Sequence, residues 1–256
     1  VWRPKQNEGG VVVATTPRHT SLSRPDMHGR LKPVAANIDH IVVVIAAEPV
    51  AHANLIDRYL VAAETVGIPP VILLNKCDLI DDSNQASLDN LLKTYEDLNY
   101  KIIRTSIKHQ EGMESLYSFL QDKTSVFVGQ SGVGKSSLIG TILPDIDITI
   151  GELSQKRKKG VHTTTTARLF HMPKGGDLID SPGIREFGLW HISEEELLNG
   201  FIEFQPHIGY CRFRDCAHEK EPGCAILQAL DKGEITEHRF QSFLRIKQSI
   251  RENQAF

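Results

Sequence analysis

The chain has 256 residues, with 29 lysines and arginines against 32 aspartates and glutamates, and a formal net charge of −3. Hydrophobic residues make up 40% and charged residues 24%, which are ordinary globular values and exclude long disorder and collagen-like repeats. The mild acidity argues against a protein that coats nucleic acid by bulk charge, although it does not exclude a local basic face.

The sequence shows no membrane or secretion signal. No apolar run approaches the roughly 18–20 residues that a membrane span needs, and the best stretch, 41–47, has the length of a strand. The N-terminal residues lack a methionine and the apolar core of a signal peptide. We therefore expect a cytoplasmic protein without membrane contact, whose sequence begins after a trimmed or partly disordered start.

The pattern of the chain changes near residue 37. Residues 1–36 are rich in Val, Thr, Arg and Pro and look like the last strands of a small β domain, for which about 36 residues are too few. From residue 38, apolar strands alternate with amphipathic helices, which is typical of βαβ units and a parallel sheet. The predicted strands are 38–47, 71–74, 101–105, 125–128, 167–172 and 177–179, and the predicted helices are 55–66, 82–98, 111–120, 134–143 and 236–252.

Residues 129–136, Gly-Gln-Ser-Gly-Val-Gly-Lys-Ser, fit G-x-x-x-x-G-K-[ST] between a predicted strand and a predicted helix. Such a loop turns backbone N–H groups around phosphates, and the helix N-terminus adds partial positive charge. Lys135 is expected to reach the β- and γ-phosphates and Ser136 to ligate Mg²⁺; the alternative is a glycine-rich turn with a surface lysine. The nucleotide-binding candidates in this P-loop are Gly129, Gly132, Val133, Gly134, Lys135, Ser136 and Ser137.

The tetrapeptide Asn75-Lys76-Cys77-Asp78 indicates which base is bound. It follows the predicted strand 71–74, at the edge of a parallel sheet where ligands bind. The Asp78 carboxylate can accept from both N1–H and the 2-amino group of guanine, whereas adenine offers neither donor. Asn75 is expected to bond the N7 edge and the Lys76 stem to lie over the ring. The sequence therefore favours GTP, with an ordinary loop as the alternative.

Two weaker patterns accompany these motifs. Asp180-Ser181-Pro182-Gly183 follows the strand 177–179, where Asp180 would hold Mg²⁺ through water and the Gly183 N–H would meet the γ-phosphate. The stretch 105–108, Thr-Ser-Ile-Lys, ends another strand, and a backbone N–H there, which we assign to Ser106, would contact the guanine carbonyl oxygen. Both patterns also arise frequently by chance.

Three of the four cysteines and one histidine form the pattern Cys211-x₄-Cys216-x-His218-x₅-Cys224. Three thiolates and one imidazole suit tetrahedral Zn²⁺, and four protein ligands leave no open position for catalysis. One structural zinc ion is therefore expected, with buried reduced cysteines as the alternative. The fourth cysteine, Cys77, occupies the variable position of the guanine motif and is expected only to pack.

The order of the motifs is unusual, because in most GTPases the P-loop comes first and N-K-x-D last. A circular permutation allows the same site to form. On the residues 75–78, 129–137, 160–166 and 180–190 together with the Cys/His pattern, the chain resembles the circularly permuted GTPase family, and within it the ribosome small subunit-dependent GTPase A family.

The resemblance implies an α/β fold with a circularly permuted P-loop GTPase domain, built on a mostly parallel sheet with helices on both faces. A partial OB-fold module would precede this domain and a small zinc-binding α-helical domain would follow it. The implied boundaries are 1–36, 37–189 and 190–256. Most of the OB-fold, which is the module expected to bind RNA, is absent from this sequence.

The resemblance also implies a GTP hydrolase that acts in late maturation of the small (30S) ribosomal subunit. The subunit would stimulate hydrolysis, and the nucleotide state would control association and release. The implied partners are GTP and GDP, the small subunit and its 16S rRNA, with the chain a monomer. Because 180–183 leads directly into the zinc region, we also hypothesise that this switch signals to the C-terminal module.

The catalytic residues are less defined. A threonine of the segment 160–166 should bind Mg²⁺ and the γ-phosphate, and Thr164 and Thr165 are favoured among four consecutive threonines. In Ras-like GTPases a glutamine after D-x-x-G positions the attacking water, but here that residue is Ile184. His162 is the nearest candidate in the family pattern, with a simple surface histidine as the alternative. The catalytic candidates are thus His162, Lys135, Thr164 and Thr165.

Alternatives to this reading remain. Residues 156–159, Lys-Arg-Lys-Lys, could meet rRNA phosphates or be a solvated loop, and Arg239, Arg245 and Arg251 could form one basic face of the last helix. The alternative function is a GTP-gated rRNA-binding assembly scaffold in which hydrolysis is incidental. A P-loop ATPase is a third possibility, which Asp78 disfavours.

Overall fold

The computed structural model describes residues 2–4, 10–25, 30–144, 168–180 and 192–254. Within them the strands are β1 (Trp2–Pro4), β2 (Gly10–Val12), β3 (Ser21–Pro25), β4 (Leu31–Ala36), β5 (His40–Ala46), β6 (Pro70–Asn75), β7 (Lys101–Arg104), β8 (Thr124–Val128), β9 (Arg168–His171) and β10 (Asp177–Asp180). The helices are α1 (Ala53–Thr65), α2 (Gln85–Asp97), α3 (Met113–Leu120), α4 (Lys135–Ile142), α5 (Glu194–Gly200), α6 (Ala225–Asp231) and α7 (Glu237–Gln254).

A six-stranded sheet with the order β7-β6-β5-β8-β10-β9 is the central element. Neighbouring strands are parallel, except that β9 runs antiparallel to β10. In the register, Ala46 lies beside Asn75 and Leu74 beside Arg104. The loops that follow the five parallel strands therefore share one edge of the sheet. The alternation of strands and helices predicted from residue 38 onward is confirmed.

Strand β5 shows why both faces of the sheet are covered. Successive side chains of a strand point to opposite faces. Ile41, Val43 and Ile45 join the core that α1 and α2 cover, whereas Val42 and Val44 join the core that α3 and α4 cover. All five are at most 5% exposed. The continuous apolar run thus reflects a strand buried on two sides, and the predicted helices on both faces are confirmed.

The hairpin of β3 and β4 is attached to the start of the large sheet. Leu22 of β3 is buried in the same core as Ile38. The Thr20 hydroxyl accepts a hydrogen bond from the Ile38 N–H at 2.7 Å and donates to the Ile38 carbonyl at 3.0 Å. The β3–β4 hairpin is therefore packed against the α/β region.

A third core lies in the C-terminal region and includes part of α1. The rings of Phe201, Phe204 and Phe243 contact one another, with centroids between 5.0 and 5.7 Å apart. Val61 of α1 belongs to this aromatic core, whereas the preceding Leu60 belongs to the core beneath the sheet. Helix α1 therefore has two apolar faces, one for each core.

Helix α1 also carries a buried charge cluster. Arg239 of α7 is 1% exposed and donates to Asp57 Oδ1 and to Glu203 Oε1, each at 2.6 Å. The Tyr95 hydroxyl donates to Asp57 Oδ1 at 2.8 Å, and His238 Nε2 lies 3.3 Å from Asp57 Oδ2. Burial raises the pKa of Asp57, but the hydrogen bond of His238 and the charge of Arg239 outweigh it and lower the pKa. Asp57 is therefore an ionised, fully buried link between α1 and α7.

The predicted basic face on the last helix is wrong for two of its three arginines. Arg239 is buried in the cluster just described. Arg251 donates to Glu194 Oε1 at 2.5 Å and to Glu219 Oε1 at 3.0 Å. Arg239 thus links α7 to α1 through a buried ion pair, whereas Arg251 forms exposed ion pairs within the C-terminal region.

Two C-terminal helices were not predicted. Helix α5 begins with a capping box, in which the Ser193 side chain accepts from the Glu196 N–H and the Glu196 side chain accepts from the Ser193 N–H. The spacing Ser-x-x-Glu signals such a start in a sequence. Helix α6, directly after Cys224, has no side-chain cap at its N-terminus. Across the described ranges, no helix has the length and apolarity that a bilayer crossing requires.

Replacing Arg239 with methionine should destabilise the protein strongly. The change leaves the carboxylates of Asp57 and Glu203 buried without their cation, which costs about 3–5 kcal/mol of unfolding free energy. Urea denaturation followed by circular dichroism measures the change. Lys93→Met is the matched control, because it breaks the exposed Lys93–Asp97 pair and should cost about 0.5 kcal/mol or less. Equal effects of the two substitutions would contradict the assignment.

Candidate functional site

The P-loop connects β8 to α4 and packs directly on neighbouring backbone. Gly129 has φ +140°, and a Cβ there would lie 2.2 Å from the Val44 carbonyl oxygen. Gly134 has φ +95°, and a Cβ there would lie 2.4 Å from Asn75 Nδ2. Both positions therefore require glycine for backbone conformation and for close approach.

The side chain of Lys135 folds back over the loop that precedes it. Its Nζ donates to the carbonyl oxygens of Gly129 and Gln130, each at 2.6 Å. Ser136 is half-buried in the first turn of α4, and Ser137 beside it is exposed. The Lys135 ammonium group is thus held at the junction of loop and helix, where anions bind in general.

The end of β6 is joined to the P-loop by two side chains. Asn75 is 2% exposed, and its Nδ2 donates to the Val133 carbonyl at 2.9 Å. Lys76 has a left-handed backbone with φ 58°, and its Nζ donates to the carbonyls of Gly132 at 2.8 Å and Glu48 at 2.9 Å. The motif predicted to contact a base therefore also fixes the shape of the P-loop.

Asp78 is held by a side chain from the next strand end. The Ser106 hydroxyl donates to Asp78 Oδ1 at 2.6 Å, and this hydrogen bond lowers the pKa of Asp78. The Ser106 N–H donates to the Glu111 carbonyl at 2.9 Å. Ser106 thus positions the carboxylate with its side chain while its backbone N–H serves the local turn.

Cys77 lies between these residues and packs inward. Its Sγ lies 3.5 Å from the Leu74 carbonyl, and its N–H donates to the Thr105 carbonyl at 3.1 Å. Burial raises the pKa of the Cys77 thiol. The contacts agree with the expected packing role.

Strand β10 brings a fifth segment to the same edge. It pairs in parallel with β8, Ile179 lying beside Val126, and ends at Asp180. The structure thereby brings together the strand and loop ends that hold the P-loop, the guanine motif, Ser106 and the backbone of Asp180. The predicted site residues His162, Thr164, Thr165 and Gly183, and the basic run 156–159, lie outside the described residues.

Two residues of this edge were not recognised from the sequence. Thr105 is fully buried, and its hydroxyl lies 3.3 Å from Asn75 Oδ1, which orients the amide toward the P-loop. Thr105 is the first residue of the Thr-Ser-Ile-Lys stretch, in which the sequence assigned a role only to Ser106. Glu48 acts through its backbone carbonyl, a group that every residue has, so the sequence carries no signal for it.

The Cys/His pattern folds into one cluster. The ligand atoms of Cys211, Cys216, His218 and Cys224 all lie within 4.8 Å of one another. His218 Nδ1 is 3.5 Å from Cys211 Sγ and 3.4 Å from Cys224 Sγ. Ligands about 2.0–2.3 Å from a tetrahedral Zn²⁺ are about 3.4–3.8 Å apart, a range that includes both His218 distances, so the donor set fits zinc.

The His218 imidazole is in the protonation state that metal binding needs. Burial, with the neighbouring thiols, raises the pKa of Cys216 to about 12 and also raises that of Cys224. Burial and the Lys247 charge lower the pKa of His218, so its imidazole is neutral, as a ligand must be. Closely packed thiols become thiolates when a bound cation compensates their charge.

The chain is similar to proteins of a known family. A family model described as RsgA GTPase matches residues 15–190. The chain is 58% identical over 252 residues to the small ribosomal subunit biogenesis GTPase RsgA of Hahella chejuensis, covering 98% of this chain and 72% of that protein. To the protein of the same name in Pseudomonas aeruginosa it is 56% identical over 252 residues, covering 98% and 74%.

Two solved structures have a similar fold. The crystal structure of YjeQ from Thermotoga maritima matches with a TM-score of 0.77 and 32% identity, covering 96% of this chain and 80% of that chain. The crystal structure of YloQ, described as a circularly permuted GTPase, matches with a TM-score of 0.75 and 31% identity, covering 98% and 79%.

The purified chain should contain about one zinc ion per molecule, measured by atomic emission spectroscopy. Cys216→Ser should lose most of this zinc, because the substitution removes one of three thiolate ligands. Cys77→Ser is the matched control and should retain the metal, since Cys77 is not part of the cluster. Equal zinc loss from both variants, or a zinc-free parent, would refute the assignment.

Proposed function

The chain belongs to the RsgA GTPase family, and from this premise we propose that it hydrolyses GTP in the maturation of the small ribosomal subunit. The resemblance seen in the order of the motifs is confirmed, and with it the circularly permuted fold. One observation carries the assignment to guanine nucleotides. Asn75, which belongs to the same motif as Asp78, donates a hydrogen bond from Nδ2 to the Val133 carbonyl oxygen of the P-loop at 2.9 Å. The proposed base-binding and phosphate-binding elements therefore form one site.

The residues of this site have complementary proposed roles. Asp78 accepts from guanine, and the hydrogen bond from Ser106 keeps it ionised and in place. The P-loop N–H groups and Lys135 bind the phosphates. The half-buried Ser136 hydroxyl and the Asp180 carboxylate would hold Mg²⁺, which prefers oxygen ligands and would neutralise charge on the phosphates.

Hydrolysis requires a positioned water molecule. Thr164 or Thr165 would contact the metal and the γ-phosphate in the GTP state. Because Ile184 stands where Ras-like GTPases have the water-positioning glutamine, His162 would orient the water instead. Without a partner the turnover should be slow, on the order of 10⁻⁴ to 10⁻² s⁻¹. We propose that the small subunit supplies the missing alignment, and that hydrolysis then releases the protein from it.

The setting of this activity is proposed from the family. The names of the relatives place them in small-subunit biogenesis, so this chain would act in the cytoplasm as a monomer that contacts 16S rRNA. The described part of the N-terminal β module comprises residues 2–4, 10–25 and 30–36, and its β3–β4 hairpin packs on the α/β region. This module is the proposed RNA-facing element, by analogy with OB-folds in general.

Asp78→Asn should change base specificity. An asparagine amide cannot accept from both N1–H and the 2-amino group, but its NH₂ can donate to the 2-carbonyl of xanthine. GDP affinity should fall by about 100-fold or more, while XDP affinity should rise, as measured by isothermal titration. Asp81→Asn, at a neighbouring exposed carboxylate, should change neither affinity. Unaltered GDP affinity in Asp78→Asn would show that the base lies elsewhere.

GTP turnover with and without purified 30S subunits tests the proposed function. Stimulation by the subunit should be large in the parent and reduced at least tenfold in His162→Ala, because the attacking water loses its orienting group. His171→Ala is the control, since His171 pairs with Asp177 at the opposite end of β10. A parent chain that subunits do not stimulate would overturn the function. Full subunit maturation by a hydrolysis-deficient His162→Ala would instead favour the scaffold alternative.

A further inference from the structure

In the loop between the second and fourth predicted zinc ligands, several backbone N–H groups donate to one carboxylate, that of Glu221. Glu221 Oε2 accepts from the N–H groups of Glu219 at 2.9 Å and Lys220 at 3.1 Å, and Glu221 Oε1 accepts from the Ala217 N–H at 3.2 Å. These N–H groups lie on both sides of His218 in sequence. The Glu221 side chain therefore accepts hydrogen bonds from three amide donors, at positions 217, 219 and 220, that flank a metal ligand.

The backbone of His218 needs such support. Its φ is +59°, in the left-handed region that costs a residue with a Cβ about 1–2 kcal/mol. Strained conformations persist only where surrounding contacts determine them. The hydrogen bonds of Glu221 on either side of His218 are contacts of this kind, and the His218 imidazole lies close to Cys211 and Cys224.

A second contact holds the same loop from the last helix. Lys247 of α7 is 3% exposed, and its Nζ donates to the Ala217 carbonyl at 2.6 Å and to Glu219 Oε1 at 3.0 Å. It also lies 3.4 Å from Glu194 Oε2. A buried ammonium group is costly unless it is paired, so these contacts fix its position and that of the loop.

The other side of the cluster is fixed by backbone bonds. The Arg212 N–H donates to the Gly223 carbonyl at 2.9 Å, and the Cys224 N–H donates to the Glu221 carbonyl at 3.2 Å. The Ala225 N–H, at the start of α6, donates to Cys211 Sγ at 3.3 Å. The spacing of the ligand atoms thus arises from hydrogen bonds within the chain.

We propose that Glu221 and Lys247 are positioning residues of the zinc-binding loop, which hold His218 and its neighbours in the liganding arrangement before the metal binds. Because the loop is already ordered, zinc binding would cost less conformational entropy than binding to a disordered loop. Outer contacts of this kind change metal affinity by about 10–100-fold when they are removed. Neither residue is a ligand, and neither stands out in the sequence by spacing.

The test is the zinc affinity of the full-length chain, measured by competition with a chromophoric chelator. Glu221→Ala and Lys247→Met should each bind zinc about 10–100-fold more weakly than the parent. Glu221→Gln should lie between, because its amide oxygen still accepts hydrogen bonds but carries no charge. Glu237→Ala and Lys232→Met are matched controls at exposed positions of the same region and should stay within twofold of the parent.

Cobalt substitution separates positioning from ligation. The Co²⁺-loaded Glu221→Ala variant should keep the thiolate charge-transfer and tetrahedral d–d bands of the parent, which report the same four ligands. Affinities of Glu221→Gln and Lys247→Met within twofold of the controls would overturn the proposal, as would a Co²⁺ spectrum with a missing ligand. If Glu221→Ala does not fold, the affinity and spectrum of Glu221→Gln decide.

Discussion

The hydrogen bond from the Asn75 amide to the Val133 carbonyl is the contact on which the candidate site depends. It joins residues 58 positions apart and is buried, so leaving either partner unpaired would cost about 1–3 kcal/mol. Thr105 holds the amide from behind, and Gly134 leaves the room that the amide occupies. The guanine motif and the P-loop therefore form one unit, whose two parts are already positioned relative to each other before a nucleotide binds.

The permuted order of the chain has no visible effect on this unit, and the topology explains why. The loops that follow the five parallel strands lie at one edge of the sheet, whatever order the strands have in sequence. Strand β5 lies between β6 and β8, so the guanine motif and the P-loop flank it on either side. Circular permutation changes which loops are covalently joined and leaves the neighbours in the sheet unchanged.

Much of the fold and of the site could be predicted from local patterns. The apolar run of β5, the P-loop spacing and the Cys/His pattern each show their chemistry within a few consecutive residues. Contacts between distant residues could not be predicted in this way. Arg239 looked like a solvated helix residue because its partner Asp57 lies 182 positions away. Glu48 contributes a backbone carbonyl, and Glu221 contributes hydrogen bonds to N–H groups, so neither matches a side-chain motif.

The two faces of α1 bear on how this protein can be divided. One face covers the sheet and the other completes the aromatic core of the C-terminal region, with Asp57 neutralised by α7. The domain boundary that the sequence suggests near residue 190 therefore does not separate the cores, because α1 contributes to both. A fragment that ends there would expose Val61 and leave the buried carboxylate without its cation, so it would lack the stability of an independent domain. The GTPase region and the zinc region are best regarded as one folding unit that must be produced and studied whole.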